Sequence, residues 1–278
     1  MAGRMGRLKG NRIVATFRQL RDRGKRALLP FLTAGYPDLA TTEALLRDIS
    51  SRGVRVMELG IPFSDPIADG PTIQASYTAA LDAGVRSGDV FEMVRRFRSG
   101  PAAAETALIA MVSYSIVFRH GPERYLADAS AAGFDGLIIP DLSLEEAGEL
   151  EPMAAGRGLA NVMLIAPTTP PDRRLEIARH SRGFIYFISV AGITGQREKL
   201  PESTIAAVSE LRRQTDTPVC VGFGISTPEM VAGVCEAADG AIVGSAIVRR
   251  ITDALDQPRE KLIADVGEFV GRLLQPLL

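Results

Sequence analysis

The amino-acid sequence predicts an α/β fold: a (β/α)8 (TIM) barrel with an extra N-terminal helix and C-terminal helices. Three observations carry this. Eight short apolar runs, rich in Val, Ile, Leu and Phe and poor in charge, recur from end to end, as parallel strands covered on their outer faces require. Amphipathic stretches separate them. No linker, low-complexity tract or obvious repeat divides the 278 residues, so one barrel domain over residues 1–278 is expected. An open doubly wound sheet is the competitor, but it normally breaks such regular spacing or uses fewer strands.

The elements follow in order. Val14–Arg23 reads as the extra helix before the first strand, Ala27–Phe31. Thr41–Arg52 is helical, with Leu45, Leu46 and Ile49 on one face and Thr41 or Thr42 as its N-cap. The second and third strands are Val54–Leu59 and Ala107–Val112. Helix Pro122–Ala132 leads to strand Gly136–Ile139, helix Leu144–Arg157 to Val162–Ile165, and helix Asp172–His180 to Phe184–Val190. Helix Ser203–Gln214 precedes Pro218–Val221. Thr227–Ala237 begins with a cap followed by Pro228 in its first turn. Strand Gly240–Val243 and the tail helix Arg259–Leu274 complete the chain.

Composition excludes several classes of function. Hydrophobic residues make up 46% and net charge is −1, so there is a core to build and no bulk attraction for nucleic acid or an anionic membrane. The basic start, Met1 to Arg12, has no apolar segment behind it, so neither a signal peptide nor a membrane span is expected. Only Cys220, Cys235, His120 and His180 are present, without metal-ligand spacing. The cysteines read as buried or half-buried free thiols of a reducing cytosol.

Barrels of this kind carry their chemistry at the C-terminal ends of the strands. Glu58 closes the second apolar run, and Asp69 lies eleven positions later in a segment stiffened by Pro62, Pro66, Gly70 and Pro71. Burying a Glu is costly unless it is paired or protonated, and a raised pKa suits it to proton shuttling near neutrality. Asp65 and Asp69 are equally compatible with turn roles. Asp141 fits a cap for the following helix, support for a neighbour, or catalysis. Tyr186 alternates with Phe184 and Ile188 in a core-packing pattern, and His120 reads as a surface helix-start residue. Gly195, the Gly222-Phe223-Gly224 exit and Gly244-Ser245 suit a phosphate held by backbone amides and the Ser245 hydroxyl. A long second loop and the Ala191–Lys199 loop are candidate lids.

Pro30 to Pro37, Glu58 to Gln74, Gly192-Ile193-Thr194-Gly195, Gly222 to Ser226 and Gly244 to Val248 resemble, in the same order, the tryptophan synthase α subunit family. The resemblance spans nearly the whole chain. It implies a cytoplasmic lyase of L-tryptophan biosynthesis that cleaves indole-3-glycerol phosphate to indole and glyceraldehyde 3-phosphate without metal or cofactor. It implies Glu58 as general acid/base and Asp69 as the acceptor for the indole N–H. Phe31 and Tyr186 would line the indole pocket. Gly195, Gly224, Gly244 and Ser245 would hold the phosphate with Phe223 nearby, and Thr194 would position Asp69. It further implies an αββα heterotetramer with a pyridoxal-phosphate β subunit, the loop at Pro62 and Asp65 facing that partner. The chain departs from the family pattern at Ser115 (usually Asn), Val190 (often Arg) and Ser143 (commonly Pro); the first two bear on partner contacts and lid behaviour. A stand-alone indole-releasing lyase and a non-catalytic activator of the β subunit are the alternatives.

Overall fold

The computed structural model describes residues 8, 10–67, 69–189, 201–222 and 224–278. Eight parallel strands close in sequence order into a barrel. They are β1 (Ala27–Thr33), β2 (Val56–Gly60), β3 (Ala107–Met111), β4 (Gly136–Ile138), β5 (Ala160–Ile165), β6 (Ile185–Ile188), β7 (Val219–Gly222) and β8 (Gly240–Val243). Each expected strand is present, shifted at its ends by a few residues at most.

Helix α1 (Arg12–Asp22) precedes β1, and α2 (Leu39–Ser51) follows it. The cap of α2 is Asp38 rather than Thr41 or Thr42: its carboxylate accepts from the Thr41 amide and hydroxyl, both at 2.7 Å. Its two oxygens take the two donors separately. Between β2 and β3, where no helix is read from the sequence, lie α3 (Pro71–Asp82) and α4 (Ser87–Arg98). Pro71 occupies the first helical position of α3 after an uncapped Gly70, so the breakers that suggested a loop in fact start a helix. Next come α5 (Tyr114–His120), α6 (Pro122–Ala132), α7 (Leu144–Gly156), α8 (Pro171–His180), α9 (Glu202–Gln214), α10 (Pro228–Ala237), α11 (Ser245–Thr252) and α12 (Arg259–Leu274). His120 ends α5 instead of starting a helix. It hydrogen-bonds Asp128 at 2.8 Å and sets its ring edge-on to Tyr125.

The N-terminal end of the barrel is plugged. Ile13 is fully buried, and a Cβ on Gly136 or Gly183 would come within 3.0 Å of it. Asn11 caps α1 by accepting from the Ile13 amide, while its Nδ2 donates to Asp135 O and Gly158 O. Two aspartates at strand starts complete this end. Asp135, before β4, accepts from Arg12 and Arg98, each at 2.8 Å, and from the Leu108 amide at 2.9 Å. Asp239, before β8, accepts from Arg212 and from the Val219 amide at 2.9 Å. Both cysteines are buried and free. Among the described residues, no helix is long and apolar enough to cross a membrane.

Candidate active site at the C-terminal mouth

Register places Glu58 level with Phe31 on β1 and Ile109 on β3. Alternation then turns Phe31, Glu58 and Gly60 toward the same face, the barrel interior. Glu58 has no exposed surface, and neither of its oxygens has a hydrogen-bond partner among the described residues. Burial alone pushes its pKa well above the ordinary carboxylate value.

Asp69 lies in the loop between β2 and α3. It is 9% exposed, and its Oδ1 has no partner among the described residues. Burial raises its pKa to about 6. The loop is braced at its backbone: the Asp69 amide donates to Pro66 O at 3.1 Å. Gln74 Nε2 donates to Asp69 O at 2.8 Å and Pro66 O at 3.2 Å. The carboxylate is thus left free while its carrier is held.

A cleft opens beside it, lined by Ile61, Phe63, Asp65, Pro66, Ile67, Asp69, Tyr77, Met111, Val112, Ser113, Pro140 and Asp141. Of its three carboxylates, Asp65 accepts from Ser64 and Asp141 from the Ser113 hydroxyl (2.7 Å) and the Tyr114 amide (2.8 Å). Asp141 therefore supports the neighbouring β3 exit. The cap of α7 is Ser143, in a reciprocal capping box with Glu146, so the capping role open to Asp141 belongs to the residue two positions on.

The aromatic residues connect the mouth. Phe31 is 2% exposed; a Cβ on Gly60 would stand 2.5 Å from its ring tip, and one on Gly244 would stand 3.5 Å from its Cβ. It therefore reaches from the β8 exit to the carboxylate side. Tyr186, on β6, is 6% exposed, and its hydroxyl would lie 2.5 Å from a Cβ on Gly222. Its pKa is raised by burial first, then by Glu58 and Asp69, so it belongs to the carboxylate neighbourhood as well as to the core.

At the β7 and β8 exits, reached from β2 across β1, Gly224 follows β7 with φ of +77° and is exposed. Gly244 is the N-cap of α11 and offers no side chain. The first backbone bonds of α11 run to Gly244 O from Ile247 N (2.8 Å) and Val248 N (3.1 Å). Among the described residues, the Ser245 and Ala246 amides are left for an outside acceptor, the arrangement that favours an anion. Thr194, Gly195, Phe223 and Val190 lie outside the described residues.

The two residues expected to face a partner separate: Pro62 is buried, whereas Asp65 is exposed. Beside Asp65, Ile67 is 90% exposed, and Phe118 on α5 is 70% exposed. Sequence reasoning missed Tyr77. Its signal was the face Ile73, Ser76, Tyr77, Ala80 at helical spacing, legible only once the segment is known to be a helix. Among the described residues, no group of three or more His, Cys, Asp or Glu side chains could hold a metal ion.

A family model described as tryptophan synthase alpha chain matches residues 17–274. The tryptophan synthase alpha chain of Rhodopirellula baltica is 43% identical over 268 residues, covering 94% of this chain and 96% of its own. That of Geobacter sulfurreducens is 46% identical over 270 residues, covering 96% and 99%. Among solved structures, a tryptophan synthase alpha chain from Legionella pneumophila superposes with a TM-score of 0.85 at 34% identity, covering 96% of this chain and 97% of its own. A Mycobacterium tuberculosis tryptophan synthase structure gives a TM-score of 0.86 at 32% identity, covering 96% and 98%.

Proposed function

The chain belongs to the tryptophan synthase alpha chain family, and from that premise we propose how its residues divide the chemistry. It is a lyase, and its reaction is the cleavage of indole-3-glycerol phosphate to indole and glyceraldehyde 3-phosphate. Two proton transfers are needed. The ring carbon that bears the glycerol chain gains a proton, and the hydroxyl on the adjacent chain carbon loses one. The bond between those carbons then breaks, its electron pair returns to the ring, and the hydroxyl carbon becomes the aldehyde.

The observation that carries the assignment is a wholly buried, unpartnered Glu58 below a cleft holding a second buried carboxylate. The environments separate the two acids. Glu58, with its pKa raised well above the ordinary value, rests protonated and can give a proton to the ring carbon. The resulting anion can then take one from the hydroxyl. Asp69, raised only to about 6, is largely ionised at neutral pH and suits the indole N–H, where positive charge develops. Two acids pushed apart by burial is the general pattern for such a division of labour. Phe31 and Tyr186 supply apolar walls for the indole. Gly195, Gly224, Gly244, Ser245 and the open start of α11 receive the phosphate, with Phe223 nearby, and Thr194 positions Asp69. The chain itself needs no cofactor in this scheme.

The partner is a β subunit in an αββα assembly, which holds the pyridoxal phosphate, and the complex is cytoplasmic. Structures of Mycobacterium tuberculosis tryptophan synthase superpose on this chain. The exposed Ile67, in the cleft wall next to Asp65, supports this docking face, because an apolar side chain this exposed beside a cleft suits a covered surface. The test is indole release by the purified chain with and without a β subunit. Slow release alone and faster release with the partner is expected. Full turnover alone would identify a stand-alone lyase, and none under either condition would leave only a non-catalytic activator of the partner.

A further inference from the structure

The lyase assignment leaves one polar side chain at the mouth without a task. Tyr77 is 3% exposed yet lines the same cleft as Asp69. It enters the barrel from α3: a Cβ on Gly60 would stand 2.5 Å from its hydroxyl oxygen, beside the Phe31 ring tip at the same distance. Gly60 lies two residues beyond Glu58 on β2 and faces the same way. The phenol therefore ends on the inner wall one step above Glu58, in space that only a glycine leaves open.

Its placement is braced from both sides. Ser76, the preceding residue, hydrogen-bonds Thr33 of β1 at 2.6 Å. Gln74 holds the carbonyl of Asp69 at 2.8 Å. One stretch, Gln74 to Tyr77, thus grips β1, grips the Asp69 loop, and carries the phenol. Among the described residues, the ionisable groups that face Tyr77 and Glu58 are all acids: Asp69 from the loop, Tyr186 from β6, Cys220 from β7, and Asp65 and Asp141 across the cleft. Among the described residues, no Lys, Arg or His lines the cleft. Burial, then Asp69 and Glu58, push the phenol pKa well above its ordinary value, so the O–H keeps its proton throughout turnover.

We propose that Tyr77 is a positioning residue for the lyase reaction: neither Glu58 nor Asp69 Oδ1 is hydrogen-bonded to it in the resting structure, and during turnover its O–H turns to donate to whichever of the two acids is ionised. Burial opposes the ionisation of each carboxylate. A donor to the charged form offsets that opposition without adding a charge. Tyr77 thereby lets Asp69 be an anion beside a protonated Glu58, then receives the Glu58 anion after its proton has gone. The proposal rests on the roles given above to Glu58 and Asp69.

The test compares three proteins by the pH profile of indole release from indole-3-glycerol phosphate. Tyr77→Phe keeps the ring and removes the donor. Its kcat should fall about tenfold, as losing a hydrogen bond to a charged group implies, with KM nearly unchanged. Its acidic limb should move to higher pH, because the anion loses a donor. Incorporating 3-fluorotyrosine at position 77, a stronger donor, should move that limb to lower pH. Glu58→Gln isolates the underlying assignment: near-normal turnover there defeats the role of Glu58, whatever Tyr77 does. With Glu58 confirmed, a Phe variant whose acidic limb stays put overturns the proposal, even if kcat and KM both change, since packing alone would explain that. If the Phe variant fails to fold, the fluorotyrosine protein decides: an unmoved limb overturns the proposal.

Discussion

The two ends of the barrel both bury carboxylates, and they treat them in opposite ways. At the N-terminal end, Asp135 is 5% exposed and accepts from two arginines and a backbone amide. Asp239 repeats the plan with Arg212 and the Val219 amide. At the C-terminal mouth, Glu58 has no partner for either oxygen and Asp69 none for Oδ1 among the described residues. An unsatisfied buried charge costs several kcal/mol, which no packing benefit requires. The contrast separates carboxylates that hold the fold from carboxylates that the fold holds at its expense.

The sharpest way to break that contrast is Glu58→Gln. Indole formation should fall roughly a thousandfold, while the melting temperature at neutral pH stays level or rises, because the cost of keeping Glu58 protonated above the ordinary carboxylate pKa is removed. A variant with near-normal turnover, or one that is clearly destabilised, would place Glu58 with the structural acids. The converse change is Asp135→Ala. It strands Arg98, which is 12% exposed, and should cost about 3–5 kcal/mol of stability, leaving turnover per folded molecule unchanged. Asp239→Ala should cost less, about 1–3 kcal/mol, because Arg212 is 28% exposed and reaches water. Denaturant titration of the two variants ranks them, and an equal cost would show that burial of the arginine is not what sets it.

Asp69→Asn sharpens the comparison through pH. The folded pKa of Asp69, about 6, lies above the unfolded value near 3.8. The folded state therefore binds more protons in between, and stability falls as pH rises from about 4 to about 6, by at most about 3 kcal/mol. Glu58 adds a fall of the same sign, extending to higher pH. Asparagine removes the share of Asp69, so the melting temperature of the variant should decline less steeply across that window. Equal slopes would mean that Asp69 is not desolvated as its surroundings imply.

Much of this was legible before folding. The strands were, because parallel strands covered on both faces are apolar throughout and stand out from amphipathic helices. Glu58 was, because a glutamate closing such a strand has no packing rationale. That Gly224, Gly244 and Ser245 stand at the β7 and β8 exits was legible from their position alone. What failed was local. Helix α3 was hidden by Gly70 and Pro71, which mark a loop as readily as a helix start, and with it Tyr77 was lost. Asp38, Ser143 and Asp141 show the same limit: any of several nearby oxygens can cap a helix, and the choice depends on where neighbouring chains lie. Pro62 and Asp65 could not be told apart, since burial in a loop depends on what packs over it.

The sequence by itself determined the eightfold alternation, the strand carrying Glu58, and the family to which these residues belong, because periodicity and motif order are properties of a single line of residues. Only the tertiary structure decided which carboxylates are satisfied. Asp135 meets Arg12 and Arg98 from 123 and 37 residues away, and Tyr77 is brought against Gly60 and Phe31 by barrel closure. Electrostatic roles depend on distance and desolvation in space, and these exist only once the strands have closed.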